Sequence, residues 1–93
     1  METKILKVIK SGEELTVKSE NSGTGQLKKR ILVLKELGGD YENEYVVSVL
    51  GNAASLVWYE GDLVVVTLRF KTKSNNGHIF QDITVKDIYP LKK

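Results

Sequence analysis

The stretch "GNAASLVWYEGD", Gly51–Asp62, decides how the rest of the chain is read. Asn52 stands where a capping side chain belongs, Ala53–Trp58 supply a short helix, and Gly61 ends it. On both sides the pattern changes to alternation with period two, the mark of half-buried strands. Before it lies "NEYVVSVL" (Asn43–Leu50), and after it "DLVVVTLRFKTK" (Asp62–Lys73). In the latter Val64, Val66, Leu68 and Phe70 share one face and Val65, Thr67, Arg69, Lys71 and Lys73 the other. The first set is assigned to the core and the second to solvent.

Working outward, "KILKVIK" (Lys4–Lys10) reads as a first strand. "KKRILVLKEL" (Lys28–Leu37), bounded by "SGTG" and "GGD", reads as a second. "HIFQDITVKDI" (His78–Ile88) reads as the last, joined to its predecessor through the turn "SNNG". There Ile83 and Val85 are expected to point inward, and Phe80, Thr84 and Lys86 outward. Three strands, a helix and two strands is the order of the OB-fold, so the expected class is mainly all-β. The expected architecture is a five-stranded Greek-key barrel with a short helix between strands three and four. No linker or repeat interrupts it, and residues 1–93 read as a single domain.

Composition narrows the function. Hydrophobic residues make up 41% of the chain, enough for a modest core. No cysteine is present, which excludes a disulfide framework and a thiolate zinc site. "METKILKVIK" lacks the long apolar core of a signal peptide, and "LVVV" (Leu63–Val66) is too short to cross a bilayer. A soluble, cytoplasmic protein without membrane contact is expected. Net charge is only +2, so the distribution of charge carries more information than its sum. Cations gather at Lys28, Lys29 and Arg30 and again at Arg69, Lys71 and Lys73; acids gather at Asp40, Glu42 and Glu44.

Catalytic chemistry is hard to assemble from these residues. His78 is the lone histidine and sits beside Gly77 in an expected turn, with nothing to activate it. The carboxylates of "DYENE" read as a solubilising loop that guards a sheet edge. "SGTG" lacks the Gly-Lys-Ser/Thr of a phosphate-binding loop and is followed by a strand where that motif needs a helix. No metal, no cofactor and no enzymatic activity are expected.

Binding single strands requires cations that track phosphates and flat side chains on which bases stack. Lys28, Lys29 and Arg30 stand where the first loop meets strand two. Lys71 and Lys73 lead into the strand four–five turn, and Phe80 leaves it. The OB topology is expected to bring these two clusters to neighbouring edges of one groove. Phe80 is the expected stacking platform, with Tyr41 as a second; Trp58 is assigned to plugging the barrel bottom and Tyr45 to the core.

Four motifs carry a family resemblance: Gly23–Gly25, Leu27–Lys28–Lys29, Gly61–Asp62 with Val64 and Val66, and Asn76–Gly77–His78–Ile79–Phe80 with Asp82. With them the chain resembles a family of short bacterial proteins of unknown function, itself similar to single-stranded DNA-binding proteins. The resemblance spans nearly the whole chain and implies an OB-fold. It further implies sequence-independent binding of single-stranded DNA, or RNA, by a homo-oligomer (dimer or tetramer). The chain departs from the family at Leu27 and Ile79, where tryptophan stands in the pattern, and at Leu50, a position often aromatic. Each lost platform removes about 1–3 kcal/mol per base, so weaker binding is expected. A rival reading follows from the second strand, where Ile31, Val33 and Leu37 alternate against Leu32 and Leu34. Such a strand is apolar on both faces and suits a protein-interaction or oligomerisation module, as in an accessory protein of a phage or mobile element. Salt separates the two, because phosphate binding weakens steeply with it.

Overall fold

The computed structural model describes residues 1–18 and 25–91. Its strands are β1 (Glu2–Ser11), β2 (Leu15–Lys18), β3 (Gln26–Glu36), β4 (Glu44–Leu50), β5 (Leu63–Asn75) and β6 (His78–Pro90). They form one sheet in the order β1-β5-β6-β4-β3-β2, and a further β1–β3 pairing closes it. Five long strands thus make the OB barrel expected from the sequence. β2 is an addition of four residues, paired with β3 from Leu15↔Lys29 to Lys18↔Gln26.

The helix between β4 and β5 is smaller than expected. It is one 3₁₀ turn, Gly51–Ser55, and the residue in the N-cap position is Leu50, with no side-chain cap. The reason lies in its carbonyls. Ala53 O accepts from the backbone N–H of Leu56 at 3.2 Å and from the Trp58 indole at 3.1 Å. Ala54 O accepts from Arg30 Nε at 2.8 Å. With these acceptors engaged the chain leaves the helical region at Leu56, which is extended. Trp58 is left 5% exposed against the barrel, the plug its position implied.

Inside, alternation holds along each strand. Leu6 and Val8, Leu32 and Leu34, Val47 and Val49, and Val64, Val66 and Leu68 are all buried. Two irregularities adjust it. A bulge lies between Val8 and Lys10 on β1, and another register shift falls where Thr67 pairs with Asp87 but Leu68 with Val85. The second leaves Lys86 as an extra residue, so Val85 and Ile88, three apart, both reach the core. Phe70 departs from expectation: it continues the inward parity but is 39% exposed, because β5 has run past the end of the barrel. Its ring meets that of Tyr45 edge-on at 6.5 Å, and Lys4 Nζ lies 6.0 Å from the Tyr45 centroid. No helix among the described residues is long and apolar enough to cross a membrane.

Candidate nucleic-acid interface

The pleat divides the Lys28–Lys29–Arg30 triplet. Arg30 shares parity with buried Leu32 and Leu34, and its guanidinium is spent on the protein itself. Nε donates to Ala54 O at 2.8 Å and Nη1 to Gly12 O at 2.7 Å, which ties β3 to the 3₁₀ turn and to the end of β1. Lys28 forms an ion pair with Glu14 at 3.5 Å. Lys29 takes the opposite face with Ile31 and Val33. Most of the "SGTG" loop falls in residues 19–24 and lies outside the described residues; Gly25, at φ 73°, leads directly into β3.

Lys71 and Lys73 lie on an arm. Beyond Leu68 and before Asp82 every residue of β5, the turn and β6 is exposed, so the hairpin projects from the barrel as a two-stranded ribbon. Asn76 and Gly77 turn it with φ of 52° and 82°, the paired positive values of a type I′ hairpin. Strand pairing sets Arg69, Lys71 and Lys73 on one side, opposite Thr84, Asp82 and Phe80. Phe80 is 50% exposed, and the His78 ring stacks on it with centroids 6.4 Å apart. Lys73 Nζ lies 3.4 Å from a carboxylate oxygen of Asp82, which a phosphate would have to displace. Tyr41, wholly exposed, occupies the connection between β3 and β4.

β6 runs parallel to β4 through Ser48↔Thr84, so the arm and the Tyr41 connection lie toward one end of the barrel. The Lys28–Arg30 stretch lies toward the other, where Lys29 pairs with Leu50. The two clusters therefore do not converge on neighbouring edges. They bracket the outer face of β3 and β4, whose Lys29–Lys35 span covers about 20 Å at ~3.3 Å per residue. That face is apolar in the middle: Ile31 and Val33 on β3, and on β4 Leu50 and Val46, the last 64% exposed. Three further cations share this side, Lys7, Lys10 and Lys35, and sequence reasoning passed over them. Their signal was present, since Lys7 and Lys35 alternate against Leu6–Val8 and Leu34. Scattered singly along two strands, they form no cluster in the linear sequence.

No protein-family model matches the sequence, nor does any curated protein. Among solved structures the chain is similar to the second OB-fold domain of replication protein A from Methanococcus maripaludis, determined by solution NMR. That likeness has a TM-score of 0.68 at 16% identity, and covers 98% of this chain and 83% of the other. At that identity it shows the fold, an OB barrel.

Proposed function

We propose that this OB barrel binds single-stranded nucleic acid, DNA in the first instance, without strong sequence preference and without catalysis. The observation that carries the reading is the arm. Its one side sets Lys71 and Lys73 beside Phe80, an exposed ring with a cation directly opposite it in register. Cations next to a stacking surface are what a single strand requires, and the barrel face beside such a hairpin is where OB-folds take oligonucleotides. The likeness to a domain of a replication protein and the resemblance to short bacterial proteins related to single-strand binders point the same way. Few platforms are available, so affinity comes mainly from phosphates and is modest. The protein acts in the cytoplasm, as a homo-oligomer.

A labelled oligo-thymidine titrated by fluorescence anisotropy at low and moderate salt tests this. Micromolar binding at low salt that weakens steeply as salt rises is the expected result. Folded protein that leaves the oligonucleotide free at low salt overturns it. One observation favours a second reading, a protein-docking module: the apolar outer surface of Ile31, Val33, Val46 and Leu50. A complex built on that surface would hardly respond to salt.

A further inference from the structure

We infer that a bound strand's phosphates follow a row of lysines on the outer side of β1 and β3, running from Lys29 past Lys10 to Lys7 and Lys35. The inference rests on the single-strand reading and gives it a path. Register places the row. Lys7 pairs with Lys35, Lys10 with Val33 and Leu15 with Lys29, and paired residues of an antiparallel ladder share a side. That side is the outer one, because Leu6, Val8, Leu32 and Leu34 fill the core from the intervening positions. Four cations drawn from two strands thus flank the apolar strip of Ile31 and Val33.

Charge pairing singles the row out. Lys4, Lys28 and Lys73 each meet a carboxylate within 4 Å, but among the described residues no ion pair engages Lys7, Lys10, Lys29 or Lys35. Lys7 and Lys35 are like charges placed directly opposite each other, an arrangement that disfavours the sheet unless an anion lies between them. Between them opens a cleft of about 230 Å³, closed by the β3–β4 connection at Leu37, Gly38 and Gly39. Four acids lie near it, and one of them, Glu42, sets its carboxylate against Gly38 at the rim. Glu36 lines the cleft but faces Lys4 at 3.9 Å. Asp40 lines it too and offers its backbone carbonyl to Lys35 Nζ at 3.4 Å. Glu44 pairs with Lys35 in register without forming an ion pair among the described residues. Gly39 would leave a Cβ in open space, so the backbone there is accessible to a ligand.

The test compares wild type, a Lys7→Ala/Lys10→Ala/Lys35→Ala variant and the corresponding triple Lys→Arg variant, with folding checked by circular dichroism. For each, oligo-thymidine affinity is measured across salt, and amide shifts are mapped in the wild type by NMR. Three lost phosphate contacts should make the salt slope shallower by about two, at ~0.7 per contact for single strands. The arginine variant should keep the wild-type slope, and shifts should run along residues 7, 10, 29 and 35. A wild type that binds while the alanine variant keeps its slope within half a unit overturns the path alone. Shifts confined to the arm, residues 69–82, overturn it equally. A wild type that fails to bind at low salt overturns the single-strand reading beneath it.

Discussion

Arg30 is where sequence and structure disagree most usefully, because its charge suggests a phosphate and its geometry a strut. Replacing it with alanine removes both hydrogen bonds, to Ala54 O at 2.8 Å and to Gly12 O at 2.7 Å. Hydrogen bonds from a charged donor contribute roughly 1.5–3 kcal/mol each. The one to Gly12 is exposed and water replaces it in part, whereas Ala54 is fully buried and its carbonyl has no such substitute. A loss near 3 kcal/mol is therefore expected, which lowers the melting midpoint of a domain this size by about 12–24 °C. Arg30→Lys should recover only about half, since one ammonium cannot reproduce the planar fork that serves two acceptors. Urea denaturation of both variants gives the free energies. Salt titration with oligo-thymidine gives the second arm: Arg30→Ala should leave the slope within half a unit, while Lys29→Ala reduces it by ~0.7. An Arg30→Ala protein that melts within about 3 °C of wild type but loses a contact's worth of slope would refute the strut assignment.

Three other substitutions probe the core, the arm and its turn. Leu34 is fully buried between β1 and β4, and Leu34→Ala should cost about 2–5 kcal/mol by leaving a cavity, read as a lowered urea midpoint. Phe80→Ala should weaken oligo-thymidine binding by about 5- to 150-fold, the equivalent of one lost stacked base, while the melting midpoint stays within a few degrees; unchanged affinity removes the ring from the site. Gly77 sits at φ 82°, and Gly77→Ala should destabilise by about 1–2 kcal/mol because a Cβ is disfavoured in that region. Chemical denaturation measures it, and no change would mean the turn relaxes freely.

The barrel was legible from the order of its elements and from the inward parity written most clearly into β5. Period-two alternation in Leu63–Asn75 identifies the buried side without knowledge of any partner. Gln26–Glu36, by contrast, is apolar on both faces, and only its pairing with β1 and β4 shows that Leu32 and Leu34 are the buried pair. Features that depend on partners were not legible. β2 is four residues with one lysine, held only by pairing with β3, and nothing local separates it from a loop. The register shift near Thr67 exists between two strands and in neither alone. Phe70 shows the limit most clearly: alternation states which way a side chain points, but not whether neighbouring strands extend far enough to cover it.

The same distinction governs the binding surface. Three adjacent cations look like a cluster on paper, yet adjacent residues of a strand face opposite ways, so "KKR" cannot act as one patch once it is pleated. What a strand can gather is every second residue, together with its cross-strand partners. By that rule Lys29 belongs with Lys35 on its own strand and with Lys7 and Lys10 on β1, residues 19 or more positions away in sequence. Arg30 belongs with the core side, where the carbonyls of Ala54 and Gly12 reach it first. A surface on a barrel is thus composed across strands, and charge runs along the chain are a poor guide to it. Cations on one side of a strand, joined through register to those on the same side of the next, form the unit that a phosphate backbone can read.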